Sequence, residues 1–131
     1  MQFALRSGLR KREMPMESPL PALARRLREF AVERDWEQFH SPKNLAMALV
    51  GEAGELAAEF QWMTEEQSKA PDAAQLARIR AEAADVLNYL VRLSDKLGID
   101  LIAAAHEKID VNASRYPADK VRGSSKKYSE Y

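Results

Sequence analysis

Hydrophobic residues recur at helical spacing along most of the chain and predict four long helices. Near the start, apolar residues separated by three and four positions form the repeat of one helix face, in the set Leu20, Leu23, Leu27 and Phe30. Ser18 followed by Pro19 is a helix start signal. The pattern therefore predicts a first helix from Pro19 to about Asp35.

The second predicted helix opens with the same start signal, Ser41 followed by Pro42, and reaches about Met63. Two glycines, Gly51 and Gly54, lie inside it, and each lowers helix stability by about 1 kcal/mol. Each glycine directly precedes a glutamate. We expect another backbone or a ligand to approach closely there, with a helix-packing contact as the equal alternative.

A polar segment separates the second helix from the third. Residues 65–72 contain Pro71 and are predicted to form a loop. The third helix is expected from about Pro71 to Leu97, because Gly98 occupies the position where a left-handed residue commonly ends a helix.

The fourth helix completes the predicted architecture. Asp100 is its cap, and the helix runs from Leu101 to about Arg115, before Pro117. No alternating β-pattern occurs. The sequence therefore predicts one all-α domain over residues 18–117, folded as a four-helix bundle.

The two ends of the chain differ from this domain. Residues 1–17 contain four basic residues and no long apolar run, so we expect a disordered basic extension and not a secretory signal. Residues 118–131 are rich in Ser, Lys and Tyr and are predicted to be a C-terminal tail that becomes ordered on a partner.

Composition excludes several classes of function. The chain has 131 residues, 20 of them basic and 20 acidic, and no cysteine. Balanced charge gives no general attraction to nucleic acid or to a membrane surface, and three carboxylates within residues 45–63 argue against membrane insertion. The lack of cysteine excludes thiolate metal sites and fits a reducing cytoplasm. We expect a cytoplasmic protein that binds neither a nucleic acid polymer nor a membrane.

Two pairs of carboxylates lie in the apolar faces of the second and third helices. They are Glu52 with Glu55 and Glu82 with Asp85. At about 100° per residue, apolar side chains of the same helix lie within roughly 60° of Glu52 and 80° of Glu82. Neither residues 45–63 nor residues 81–91 contain a Lys or Arg. Buried carboxylates without a cation must be protonated or bind a metal.

Four oxygen donors on two facing helices suit a hard divalent cation. In an antiparallel hairpin the two pairs would converge, and Mg²⁺ is the usual ion where phosphates complete the coordination, with Mn²⁺ as the alternative. A di-iron centre typically uses Glu-x-x-His on two of its helices, whereas here the second member of each pair is Glu55 or Asp85. The only histidines are His40, which lies outside the predicted long helices, and His106. His40 is interpreted as a capping or packing residue. A solvated groove that binds no ion is the remaining alternative.

Aromatic and polar side chains near the helix ends are candidate substrate contacts. Trp36 and Trp62 are predicted to flank the carboxylates, where a planar base could stack while its phosphates reach the metal. Tyr89 shares a helix face with Glu82 and Asp85. For each aromatic residue, packing is the alternative. The candidate phosphate donors of the fourth helix are Lys108, Asn112 and Arg115.

Together these motifs resemble a known family. Glu52-x-x-Glu55 followed by Glu82-x-x-Asp85 is similar to the metal motif of the all-α nucleoside triphosphate pyrophosphohydrolases, the MazG-like group. The surrounding sequence resembles the dCTP pyrophosphatase branch of that group between about residues 23 and 128. The segments that carry the resemblance are 33–40, 42–45, 51–56, 60–62, 85–90, 108–112, 115–117 and 127–128.

The resemblance implies a function for the motif. It implies Mg²⁺-dependent hydrolysis of a (deoxy)nucleoside triphosphate, dCTP or a modified dCTP, to the monophosphate and pyrophosphate, which cleanses the nucleotide pool. The implied catalytic and metal-binding residues are Glu52, Glu55, Glu82 and Asp85. The implied substrate-binding residues are Trp36, Trp62, Tyr89, Lys108 and Asn112.

The resemblance also implies a homotetramer built as a dimer of dimers. One position departs from the branch, because Leu27 stands where some dCTP-directed relatives carry a histidine, and this leaves the preference for cytosine open. Two non-catalytic functions remain open as well. They are a sensor that binds Mg²⁺-nucleotide without turnover and a helical interaction module.

Overall fold

The computed structural model describes residues 16–130, which form helices joined by short turns. In chain order the helices are α1 (Pro19–Glu33), α2 (Pro42–Ala58), α3 (Glu65–Ser68), α4 (Ala73–Leu97), α5 (Leu101–Arg115) and α6 (Ala118–Val121). Two 3₁₀ turns lie at Glu37–Phe39 and Tyr128–Glu130. No strand occurs within residues 16–130, so the all-α prediction is confirmed.

Side-chain caps fix the starts of α2 and α4, and a glycine ends α4. The Ser41 hydroxyl accepts a hydrogen bond from the backbone N–H of Asn44 at 3.2 Å. The Asp72 carboxylate accepts one from Gln75 at 2.8 Å, so α4 begins just after the predicted start. Gly98 ends α4 with a left-handed φ of 64°, as predicted. Each cap satisfies a backbone donor or acceptor that the helix end leaves unpaired.

The second helix is shorter than predicted, and the predicted loop after it contains a helix. α2 ends at Ala58, not Met63, and the chain continues in tight turns in which the N–H of Met63 donates to the carbonyl of Phe60 at 2.9 Å. Thr64 and Gln67 then form a capping box that starts α3. The apolar spacing of Phe60 and Met63 imitates a helix face, whereas the Thr-x-x-Gln signal marks a new start.

The centre of the fold is an antiparallel hairpin of α2 and α4. Glu59, directly after α2, pairs with Arg78 early in α4 at 3.0 Å. Leu45, near the start of α2, and Val91, late in α4, are both buried. α1 packs along α4, and its Ala31 is also buried. This hairpin places the middle of α2 opposite the middle of α4.

Helix α5 has no extensive packing contact with another helix of residues 16–130. Its apolar residues Ile102 and Ile109 are more than half exposed. On α2, a Cβ added at Gly51 or Gly54 would meet no atom within 4 Å beyond the adjoining residues and backbone of its own helix. The close approach predicted at these glycines is therefore not found within the described part of the chain.

The segments outside the predicted domain are only partly described. Residues 1–15 of the expected basic extension lie outside the described residues, whereas Glu17 pairs with Arg25 at 3.2 Å. In the C-terminal segment the Tyr128 ring packs edge-on against Tyr116, with ring centroids 5.9 Å apart. None of the helices within residues 16–130 has the length and hydrophobicity that a membrane span requires.

Candidate active site

Three of the four carboxylates meet where the middle of α2 faces the middle of α4. One oxygen from each of Glu52, Glu82 and Asp85 lies within 4.8 Å of the others. Glu52 and Glu82 are half-buried and Asp85 is exposed. Glu55, one turn after Glu52, is exposed and stands outside this group. The convergence predicted from helical spacing is thus found for three side chains, which we call the carboxylate cluster.

The negative charge of the carboxylate cluster is not balanced by a cationic side chain of the described residues. Among the ion pairs of residues 16–130, none involves a member of the carboxylate cluster, and the nearby pair of Glu59 with Arg78 engages a different carboxylate. Partial burial, followed by the charges of Asp85 and Glu55, raises the pKa of Glu52 above its ordinary value.

The pKa of Glu82 is also raised. Partial burial is the largest cause, and the neighbouring carboxylates, led by Glu55, add to it. A proton or a cation would relieve both costs. The donor set contains only carboxylate oxygens, which suits a hard divalent cation such as Mg²⁺ and does not suit a soft metal.

A cleft of about 410 Å³ between α1 and α4 opens beside the cluster. Its lining includes the Asp85 side chain and an aromatic wall. The lining residues are Leu23, Arg26, Leu27, Phe30, Trp36, His40, Asp85, Asn88, Tyr89 and Arg92. We call this the aromatic cleft. A pocket with apolar walls and a few convergent polar groups is the usual form of a small-molecule site.

Trp36 forms the aromatic wall. Its ring packs edge-on against Phe30 at a centroid distance of 5.7 Å and against His40 at 6.5 Å. Its side chain remains 44% exposed, so part of its surface is free for a planar ligand. Tyr89 lies one turn after Asp85 on α4 and lines the same cleft. Trp36 and Tyr89 therefore line one cleft together with Asp85.

The 3₁₀ turn that follows Trp36 is fastened to α4 by ion pairs. Glu37 pairs with both Arg92 and Lys96. Arg92 also pairs with Asp95 at 3.3 Å. These contacts fix the position of the turn and hence of the aromatic wall.

The remaining predicted substrate residues lie elsewhere in the single chain. Trp62 is 89% exposed and lines a separate notch of about 390 Å³ with Arg78. The prediction placed it on a continuing helix, whereas α2 has already ended. Lys108 and Asn112 are exposed on α5, which does not reach the aromatic cleft. Within one chain these three residues are not brought to the carboxylates.

Two polar residues of the aromatic cleft were missed by the sequence reasoning. Asn88 and Arg92 follow Asp85 by three and seven positions, and this spacing alone places them on one helix face with it. Arg92 directly follows residues 81–91, which contain no Lys or Arg. His40 was interpreted as packing, and its contact with Arg92 could not be read from a separation of 52 positions.

A second cleft, of about 440 Å³, lies between the start of α1 and the turn before α5. It is lined by the paired side chains of Arg28 and Asp95, which are 2.7 Å apart. It contains no member of the carboxylate cluster and no aromatic ring. Although it is slightly larger, its charged side chains are engaged with one another, as in the pairs of Arg25 with Glu17 and of Arg28 with Asp95.

Comparison with protein families agrees with this geometry. The sequence profile of the MazG-like family matches residues 48–131, which is more than half of the chain. The match includes the two carboxylate pairs, Glu52 with Glu55 and Glu82 with Asp85. The chain belongs to the MazG-like family. This MazG-like chain is 51% identical to human dCTP pyrophosphatase 1 over 120 residues, covering 86% of the chain and 69% of that protein.

Other relatives are similar in sequence or in fold. Bovine dCTP pyrophosphatase 1 is 46% identical over 116 residues, with 87% of this MazG-like chain and 69% of the relative covered. A solved pyrophosphatase from Archaeoglobus fulgidus superposes with a TM-score of 0.72 at 34% identity and covers 77% of this chain and 94% of its own. The fold and the family therefore agree.

Proposed function

We propose that this protein hydrolyses deoxynucleoside triphosphates, with dCTP or a modified dCTP as the preferred substrate, to the monophosphate and pyrophosphate. The observation that carries the proposal is a carboxylate cluster that lies beside an aromatic cleft and forms no ion pair with a Lys or Arg side chain of residues 16–130. Relatives named dCTP pyrophosphatase support the reaction and the base. We further propose that it acts in the cytoplasm on the nucleotide pool.

The cluster fits a divalent metal. Glu52, Glu82 and Asp85 would hold it, and Glu55 would join from the next turn of α2. Mg²⁺ is proposed as the physiological ion and Mn²⁺ as a substitute. When bound, such an ion neutralises triphosphate charge and lowers the pKa of a water that attacks phosphorus.

The residues of the aromatic cleft arrange the substrate. Asp85 belongs to both the carboxylate cluster and the aromatic cleft, so the phosphates bind where the cleft meets Asp85. Trp36 offers an exposed ring surface on which a base stacks, and its position is held by the pairing of Glu37 with α4. Tyr89 lines the cleft together with Asp85 and Trp36, and its hydroxyl is proposed to bind the sugar or a phosphate.

A second copy of the chain would supply the residues that one chain leaves distant. Lys108 and Asn112 of α5, and Trp62 after α2, are exposed and can meet a nucleotide only across an interface. The unpacked apolar residues of α5 support such an interface. Together with the family resemblance, which implies a homotetramer built as a dimer of dimers, this supports our proposal that partner chains complete each site.

Pyrophosphate release from the four dNTPs in Mg²⁺ tests the proposal. We expect pyrophosphate and monophosphate in equal amounts, fastest from dCTP, and no reaction in EDTA. A sensor would bind dCTP and Mg²⁺ without releasing pyrophosphate. An interaction module would bind neither, and either result would refute the proposed reaction.

A further inference from the structure

One arginine lies on the carboxylate face of α4, at the end away from the aromatic cleft. Arg78 precedes Glu82 by four positions and Asp85 by seven, a spacing that places the three residues on one face of the helix. The aromatic cleft extends from Asp85 in the opposite direction, toward Tyr89 and Arg92. The carboxylate cluster is therefore flanked by the cleft on one side and by an arginine on the other.

The guanidinium of Arg78 is only partly used within the chain. Its Nε–H donates to the Glu59 carboxylate at 3.0 Å, and no group of residues 16–130 accepts a hydrogen bond from its two terminal nitrogens. The side chain is 56% exposed and lines the open notch of about 390 Å³. These nitrogens carry donors in a planar fork that matches a phosphate group, so the fork is available to a ligand.

Glu59 anchors Arg78 close to the carboxylate cluster. It follows Glu55 by one turn, directly after α2, and its side chain is only 21% exposed. The negative charge of Glu59 is one of the causes that raise the pKa of Glu82, so Glu59 lies within electrostatic reach of the cluster. The ion pair holds a cation beside the cluster without engaging any of its three members.

A triphosphate bound from the cleft would run along this face of α4. In a nucleoside triphosphate the α-phosphate is next to the sugar, and the terminal phosphate is farthest from the base. With the base against Trp36 and the α-phosphate at Asp85, the remaining phosphates extend past Glu82 toward Arg78. Glu82 and Arg78 are only about 6 Å apart along the helix axis at 1.5 Å per residue.

We propose that Arg78 binds the β- and γ-phosphates of the substrate and stabilises the pyrophosphate that leaves. The inference rests on the proposed function. Water adds to the α-phosphorus, the bond from this phosphorus to the bridging oxygen breaks with its electron pair left on pyrophosphate, and one proton is released. Negative charge grows on the leaving group in this step, and a preorganised arginine fork beside it lowers the barrier.

Product inhibition separates the two ends of the site. Inorganic pyrophosphate with Mg²⁺ and dCMP are each used as inhibitors of dCTP hydrolysis. Formation of dCMP is followed when pyrophosphate is the inhibitor, and pyrophosphate release is followed when dCMP is. For Arg78→Gln we expect the inhibition constant Ki of pyrophosphate to rise about tenfold or more, the factor for hydrogen bonds to a charged group, and that of dCMP to change by less than about twofold. The kcat/KM for dCTP should fall as well.

Two control variants accompany Arg78→Gln. Arg80→Gln removes the same charge from α4, about 200° around the helix from Arg78, where the side chain is exposed. Both Ki values should equal those of the wild type. Glu59→Gln breaks the same ion pair but keeps the arginine, so the Ki of pyrophosphate should not rise.

Three results would overturn the inference. They are an unchanged Ki of pyrophosphate in Arg78→Gln, an equal rise for pyrophosphate and dCMP, or an equal rise of the pyrophosphate Ki in Arg78→Gln and Glu59→Gln. The last result would assign the ion pair to structure alone.

The fold of each variant is checked by circular dichroism, and exposed ion pairs contribute little to stability. If Arg78→Gln does not fold, Arg78→Lys keeps the charge and removes the fork. It should raise the Ki of pyrophosphate alone, by a smaller factor, and no rise would overturn the inference. Failure of the proposed function looks different, because the wild type then releases no pyrophosphate from dCTP. If the wild type is active and the Ki values do not separate, only this inference falls.

Discussion

At the scale of single residues, activity is expected to depend on three carboxylates that no cation neutralises. Glu52, Glu82 and Asp85 converge within 4.8 Å, although like charges at this distance repel. Such an arrangement costs stability in the empty protein and becomes favourable when an ion binds. Proteins often carry destabilising groups of this kind where function requires them.

Removing one charge from the cluster should abolish turnover without unfolding the chain. For Asp85→Asn and Glu82→Gln we expect Mg²⁺-dependent pyrophosphate release to fall by about 100-fold or more. Loss of a metal ligand should reduce activity at least as much as loss of a residue that only orients a ligand. The melting temperature without metal should stay the same or rise. Glu55→Gln should behave similarly if that residue completes the site.

Glu66→Gln is the matched control for these variants. Glu66 is exposed on α3 and pairs with Lys69 at 2.7 Å, far in sequence from the cluster. The rate of pyrophosphate release by Glu66→Gln should equal that of the wild type. Full activity in both Asp85→Asn and Glu82→Gln would remove the cluster from the mechanism.

Truncating the aromatic wall should weaken nucleotide affinity. Loss of a stacked aromatic side chain costs about 1–3 kcal/mol per base, so Trp36→Ala should raise the Kd for a non-hydrolysable dCTP analogue roughly 10- to 100-fold. Binding of Mg²⁺ alone should be unchanged. Isothermal titration measures both, and an unaltered Kd for the analogue would assign Trp36 to packing only.

Helical spacing explains which of these residues the sequence could predict. Glu82, Asp85 and Tyr89 share one regular helix, so their common face follows from the angle per residue. His40 lies in an irregular turn and Trp62 lies beyond the end of α2, where no such angle applies. Their positions depend on tertiary contacts, among them the pairing of Glu37 with α4, that no local pattern contains.

At the scale of elements, caps determine where the helices start. Ser18 and Ser41 both precede a proline, and the sequence gives them the same predicted role. The structure separates them, because the Ser41 hydroxyl accepts the N–H of Asn44 at 3.2 Å and the Ser18 side chain makes no capping hydrogen bond. Pattern alone could not distinguish the two, since a cap needs a particular side-chain rotamer.

The two serines form a matched pair of substitutions. Ser41→Ala should lower the free energy of unfolding by about 1 kcal/mol, the usual loss at an N-cap. Ser18→Ala should change it by a few tenths at most, since no hydrogen bond is lost. Urea unfolding measures both, and equal effects would contradict the assignment of the cap.

At the scale of the whole molecule, one chain leaves an unusual amount of apolar surface uncovered. Within residues 16–130 only Ala31, Leu45 and Val91 are fully buried apolar residues. Exposed apolar side chains occur on α2 and α5, among them Met47, Val50, Ile102 and Ile109. Helical spacing shows which side chains share a face, but it cannot tell whether a helix of the same chain or of another chain covers that face.

Co-expression of two inactive variants tests whether partner chains share a site. If Lys108 acts across an interface, Asp85→Asn with Lys108→Ala should recover about a quarter of wild-type activity, because half of the dimers are mixed and each has one intact site. Asp85→Asn with Glu82→Gln is the control, since both changes damage the same side of the site. Equal activity in the two mixtures would place each complete site within one chain.

Metal, pH and stability should be linked through the cluster. The pKa values of Glu52 and Glu82 are raised in the folded state, so the unfolded chain releases these protons first as pH rises. Stability without metal should therefore fall as pH rises past the ordinary glutamate range and stay lower at pH 7. Mg²⁺ should reverse this loss and raise the melting temperature, further so with a dCTP analogue. Equal stabilisation by the analogue in EDTA would contradict a metal-bridged site.

The antiparallel hairpin of α2 and α4 also has a consequence for how the protein is made. Its two helices are separated by one short segment, so they meet after a modest loop closure, which favours rapid folding. In the proposed assembly, the surfaces of α5 would be covered only through encounters between folded chains, which are slower and depend on concentration. A newly synthesised chain would then acquire its acidic cluster before it acquires partners, and assembly would be the later step that completes the catalyst.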